Sequence, residues 1–87
     1  MGARTRRRRS YSHWDFRGRP KVGYTTAERA LAAARRLAAA HGWPQDVYQC
    51  RRCECWHHGN GRVDAPPEPG IHRVMPDGRW EDGPALV

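Results

Sequence analysis

Three cysteines and two histidines fall within nine consecutive residues, Cys50-Arg51-Arg52-Cys53-Glu54-Cys55-Trp56-His57-His58, of a chain of 87. Cys-x2-Cys is the spacing at which two thiolates in a tight knuckle share one tetrahedral ion. His57 lies four residues beyond Cys53, so one turn of chain brings its imidazole to the same place. The thiol count is odd. No secretory signal is expected, because the basic start runs into Tyr11-Ser12-His13-Trp14 and not into an apolar segment. Both facts weigh against disulfides and for reduced thiols in a cytoplasmic setting. A mixed sulfur and nitrogen donor set then points to a structural Zn2+.

The rest of the composition explains why a metal would be needed. Mean hydropathy is −0.97 and only 38% of residues are hydrophobic, many of them alanine. A chain of this size buries about 60–65% of its unfolded surface, and so thin a core calls for a metal, a disulfide or a partner. The longest weakly apolar stretch, Ala30 to Ala40, is interrupted by Arg35 and Arg36, so no membrane span is expected.

A closed zinc site takes four ligands. Cys50, Cys53 and His57 are the first three, and the fourth is open between His13, Cys55, His58 and His41. Cys55 is only two residues from Cys53, which strains a shared ion. His58 points away from His57 if the segment is extended. His41 ends an apolar helix face, where a packed or capping histidine is the ordinary reading. His13 lies upstream of the first expected strand, flanked by aromatics that could hold it, and is preferred. His72 reads as a hairpin surface residue.

The fold class expected is a small α+β, zinc-stabilised domain. Residues 1–12 read as a disordered basic arm. Residues 13–63 read as a β-α-β zinc-knuckle domain: a short strand at Val22-Gly23-Tyr24, a helix over about 26–41, and a strand over 46–50 that runs into the cysteines. Thr25-Thr26-Ala27-Glu28 has the form of a capping box with Thr25 as the cap. Gly42 is the natural residue just past the helix, and Pro44 prevents its resumption. Cys50 to Asn60 reads as a compact knuckle and turn. Residues 64–70 (Asp-Ala-Pro-Pro-Glu-Pro-Gly) read as a stiff linker. Residues 71–87 hold a small hairpin around Pro76-Asp77-Gly78 and a loose tail.

Lys21-x-x-Tyr24-x-Thr26, an Ala/Arg-rich helix, and then Val47-Tyr48-x-Cys50-x-x-Cys53-x-x-Trp56-His57 resembles a group of small zinc-knuckle proteins encoded by actinobacteria and their phages, most without an assigned function. The resemblance spans roughly residues 13–58. It implies that a Cys or His shortly before the Lys-x-x-Tyr strand completes the site, which here is His13. The basic arm and the C-terminal hairpin fall outside it.

Charge is segregated along the chain. The first 21 residues hold seven arginines and Lys21 against Asp15, whereas residues 22–87 hold eight arginines and eight acids. A neutral body with a cationic arm gains affinity for a polyanion, because each phosphate neutralised releases a condensed counterion. Arg4, Arg6, Arg7, Arg8, Arg9, Arg17 and Arg19 are therefore candidate nucleic-acid contacts, with Arg51 and Arg52 at the knuckle tip as a second set. Tyr11, Trp14 and Phe16 are interleaved with these arginines and could stack on bases, although Trp14 and Phe16 could equally supply the missing core. DNA and RNA are both open as targets. The alternative is an interaction module that docks on a larger nucleoprotein machine or virion through the zinc domain and hairpin. No enzyme is read. His57, His58, Asn60 and Asp64 after a cysteine knuckle suggest a His-metal nuclease, but Pro66, Pro67 and Pro69 rule out the helix that such a site requires.

Overall fold

Alanine at every fourth position decides how the one long helix meets the rest of the chain. The computed structural model describes residues 11–85. Helix α1 runs Ala27–His41, with Ala30, Ala34 and Ala38 fully buried along one stripe. Side chains this small let the helix axis approach a sheet closely. Gly42 closes the helix in the left-handed conformation (φ 68°), its N–H donating to the Ala38 carbonyl at 2.8 Å. The N-cap is Thr26, not Thr25: its hydroxyl accepts the Arg29 N–H at 3.2 Å. Tyr24 is pinned to Trp56 by two backbone bonds of 2.8 Å, so the helical turn begins one residue later than the motif suggests.

The helix covers a four-stranded antiparallel sheet of order β2-β1-β3-β4, with β1 at Gln45–Gln49, β2 at Trp56–Asn60, β3 at His72–Val74 and β4 at Trp80–Asp82. Two sequence expectations are corrected here. The segment 22–24 forms no strand, only the isolated bridge between Tyr24 and Trp56. Residues 56–60, expected as part of a turn, form β2 in register with β1, Tyr48 opposite His57 and Val47 opposite His58. The knuckle is therefore the end of a β1–β2 hairpin. The C-terminal hairpin belongs to the same sheet, through Gln45, Asp46 and Val47 opposite Val74, Arg73 and His72. Residues 64–70 lie against it. Pro67 is buried, and a Cβ on Gly83 would sit 1.8 Å from the Glu68 carbonyl oxygen.

Strand alternation divides the sheet into two unlike faces. Val47 and Val74 pack on Ala30 and Ala34, with Tyr24, Leu31 and Trp56 at the margin. Asp46, Tyr48, His57 and Arg73 fall on the opposite face, covered by residues 11–22 and 62–70. There Arg73 holds Asp46 through Nε and Nη2 at 2.7 and 3.1 Å, and donates from Nη1 to the Ala65 carbonyl at 2.6 Å. The Tyr11 hydroxyl donates to Asp46 at 2.8 Å. Burial, then that bond, pushes the Tyr11 phenol up to about 12.

Removing one partner of a buried ion pair strands the other charge, at a cost of about 3–5 kcal/mol. Asp46→Ala should lose about that much stability in urea denaturation, and Asp46→Leu with Arg73→Met should lose less than the single change. Equal losses would mean that the pair's geometry, not its charge balance, sets the cost.

Candidate metal centre

The β1–β2 hairpin carries three of the sulfur and nitrogen donors and the incoming N-terminal segment carries the fourth. Cys50 follows β1 directly, and the chain reverses through Arg51–Cys55, with Cys50 N–H donating to the Cys55 carbonyl at 2.7 Å and Glu54 N–H to the Cys50 carbonyl at 2.9 Å. Glu54 takes a positive φ of 64°, and Gln49 Nε2 donates to its carbonyl at 3.1 Å. The Arg52 backbone N–H donates to Cys50 Sγ at 3.3 Å. Such N–H groups aimed at sulfur favour a thiolate. Burial opposes ionisation of Cys50, yet the Cys53 and Arg52 N–H groups, the Cys53 thiol and the Arg52 charge together pull its pKa down. For Cys53 the Cys55 N–H favours the thiolate, but desolvation and the Cys50 thiol and charge outweigh it and push the pKa up.

His57 is fully buried on β2, on the face opposite the helix. Its Nδ1–H donates to the Val22 carbonyl at 2.7 Å, and Nε2 lies 3.4 Å from Cys53 Sγ. His13 brings Nδ1 to 3.4 Å from Cys50 Sγ, with its ring 5.2 Å from that of His57. Desolvation, then the His57 and Arg52 charges, pulls the His13 pKa down, which keeps its nitrogen available as a donor. The donor atoms of His13, Cys50, Cys53 and His57 all lie within 4.8 Å of one another, close enough to hold a metal ion.

Neighbouring groups set His13 in place. Arg52 stands 5.4 Å over the Trp14 ring, and Lys21 N–H donates to the His13 carbonyl at 2.8 Å. The Tyr48 hydroxyl donates to the Ser12 carbonyl and accepts from Lys21 Nζ at 2.8 Å. Burial lowers the Lys21 pKa to about 8 against the charges of Asp15 and Cys50. Tyr48, Lys21 and the Val22 carbonyl are site parts that sequence reasoning missed. Tyr48 at least carried a signal, since alternation from Cys50 puts it on the same face of β1.

The other sequence candidates lie elsewhere. Cys55 is half-buried beside the four, packed so closely on Gly23 that an added Cβ there would lie 3.0 Å from its own. His58 faces the helix side and donates from Nδ1 to Gln45 Oε1 at 3.1 Å. His41 is exposed at the helix end, and His72 pairs with Asp82 at 2.6 Å. All three cysteines are free thiols. Arg51 and Arg52 are exposed on the knuckle, and Arg17 and Arg19 on the loop after His13. Arg4, Arg6, Arg7, Arg8 and Arg9 lie outside the described residues. Trp14 and Phe16 are 39% and 73% exposed, so neither supplies the core. Among the described residues no helix is long and apolar enough to cross a membrane. No protein family, curated protein or solved structure matches this chain.

The Val22 carbonyl dictates one tautomer for His57, because a carbonyl can only accept. Long-range proton–nitrogen NMR correlations at neutral pH should show His57 protonated at Nδ1 and unprotonated at Nε2. The opposite tautomer would mean that Nε2 is not a metal donor.

Proposed function

We propose that this chain is a small cytoplasmic zinc protein, in which a structural Zn2+ bound by Cys50, Cys53, His57 and His13 anchors an Arg-rich arm that binds nucleic acid. The convergence of those four donors carries the reading. Zn–S bonds of about 2.3 Å and Zn–N bonds of about 2.0–2.1 Å in a tetrahedron put sulfur and nitrogen donors about 3.5 Å apart; two of the four sulfur–nitrogen separations, His13 to Cys50 and His57 to Cys53, are 3.4 Å, and all four donors lie within 4.8 Å of one another. The His57 Nδ1–H bond to a backbone carbonyl is the outer-shell arrangement that presents Nε2 to a metal. The resemblance to zinc-knuckle proteins of actinobacteria and phages belongs to the same proposal.

Four protein ligands leave no open coordination position, so the ion builds structure and activates no water. The reading is therefore of a binding protein, not an enzyme. Arg4 and Arg6 to Arg9 lie within nine residues of His13, so an anchored His13, with Tyr11 bonded to Asp46 and Ser12 to Tyr48, sets where the cationic arm joins the domain. Arg17, Arg19, Arg51 and Arg52 extend the positive surface around that point. One observation favours docking on a larger assembly as a second reading: β4 is an edge strand, all three of its residues are exposed, and Trp80 is 51% exposed on it.

Native mass spectrometry with circular dichroism, before and after a strong chelator, tests the metal. One zinc per chain is expected, with helix lost on chelation and with His13→Ala and His57→Ala each weakening retention. A metal-free, fully helical protein overturns the reading. Nucleic-acid affinity should fall steeply with salt, and deletion of residues 1–10, which spares the Tyr11 and Ser12 contacts to the fold, should flatten the log–log slope by up to about 4.5 for its five arginines. Binding that survives both salt and deletion would favour docking instead.

A further inference from the structure

A cleft of about 600 Å³ opens between the 15–22 loop, the C-terminal end of α1 and the outer edge of β2. Its walls are apolar, formed by Phe16, Val22, Leu37 and Trp43. Phe16, Val22 and Trp43 are 73%, 67% and 45% exposed, a grouping that a small domain has reason to cover. Trp43 is held in place by its Nε1–H bond to the Gly61 carbonyl at 3.0 Å.

The floor is polar and its polarity is set. Buried Gln45 donates from Nε2 to Asn60 Oδ1 at 3.0 Å and accepts at Oε1 from His58 Nδ1–H at 3.1 Å. That chain leaves the Asn60 amide N–H groups as donors and His58 Nε2 as an acceptor. Neither is bonded elsewhere among the described residues.

The rim is cationic. Arg62 lines the cleft, 4.0 Å from exposed Asp64, the Arg17 guanidinium stands 5.3 Å from the Phe16 ring, and Arg19 is exposed on the same loop; Lys21 also lines the cleft, but its ammonium donates to the Tyr48 hydroxyl. Asp15 is the acid of the lining, and its carboxylate accepts the backbone N–H groups of Arg17 and Arg19, each at 2.9 Å. Aromatic walls, an oriented donor and acceptor, and a positive rim together suit a nucleobase with its phosphates. A neutral apolar ligand would leave the rim and floor unused.

We infer that this cleft takes one unpaired base of a single-stranded nucleic acid, stacked on Phe16 beside Trp43, with flanking phosphates on Arg17, Arg19 and Arg62. The inference rests on the nucleic-acid reading above and adds a strand preference to it. A paired base cannot enter, because its faces are stacked and its Watson–Crick edge is occupied. Arm contacts to phosphate carry no such preference.

The test uses the full metal-loaded chain and a strand of about twelve nucleotides containing 2-aminopurine, a length typical of single-strand sites. Anisotropy should show the single strand bound more tightly than the duplex of the same sequence, with the 2-aminopurine emission quenched. Loss of one stacking platform lowers affinity by roughly ten-fold, so Phe16→Ala should lose that much for the single strand and abolish the quench. Duplex affinity should stay within about two-fold, since the arm is unchanged. Phe16→Tyr, which keeps the ring, should behave as the wild type. Unchanged single-strand binding by Phe16→Ala, or binding without quench, overturns the cleft and leaves the arm reading standing. A mononucleotide bound as tightly as the strand also overturns it. Failure of the wild type to bind any strand or duplex overturns both.

Discussion

Period-two alternation along β1 is the constraint on which the rest depends. One strand of five residues serves two environments, Val47 facing the alanine stripe of α1 and Asp46 and Tyr48 facing the other way. Cys50 follows in the Asp46–Tyr48 series, and His57 reaches the same face by pairing opposite Tyr48. A slip of one residue in the β1–β2 register would send His57 to the helix side and bring His58 to the cysteines. The choice between two adjacent histidines, ambiguous in the sequence, is thus made by strand pairing.

The weak side of the fold is its apolar core. Val47 and Val74 are the only apolar side chains among the five largest that are fully buried, and the other three are His57, Gln45 and Asp46. Each valine contributes about 1.5–3 kcal/mol on burial, and the alanine methyls add less. The Asp46–Arg73 pair adds little net free energy, since its Coulomb attraction is largely offset by desolvation. Zinc bound by a site of this kind contributes about 10–16 kcal/mol in small zinc-finger peptides, as much as the whole stability of an ordinary domain. On those magnitudes a metal at the knuckle would outweigh every other interaction in the chain.

Helix α1 was legible because its signals are local: alanine and leucine spacing, a threonine cap, Gly42 and Pro44. The strand over 46–50 was legible for the same reason. Strand β2 was not, since Trp56-His57-His58-Gly59-Asn60 has little strand propensity and owes its conformation to pairing with β1. The Val22–Tyr24 segment has the propensity and lacks the partner, meeting β2 only at Trp56. Arg73 falls within the expected C-terminal hairpin, and nothing local marks it as the buried mate of Asp46, 27 residues away. Spacing could name Cys50, Cys53 and His57 together. Bringing His13 to them from 37 residues before Cys50 is the work of Tyr48, Lys21 and Arg52, whose roles depend on the assembled sheet.

The loop that carries Phe16, Arg17 and Arg19 is gripped at both ends by the candidate centre. At one end is His13 itself, against Cys50. At the other is Val22, whose carbonyl accepts the His57 Nδ1–H. Between them the loop is closed by its own bonds, Asp15 N–H to the Arg19 carbonyl at 2.8 Å and Gly18, at φ 81°, to the Asp15 carbonyl at 3.0 Å. Its shape is therefore local and its placement is not. An ion shared by His13 and His57 would tie both ends to one point. Whatever the loop binds would then favour the metal-loaded state, and the metal would favour the bound state by the same factor, because linkage is reciprocal. A centre with no open coordination position can in this way act on ligand binding without touching the ligand.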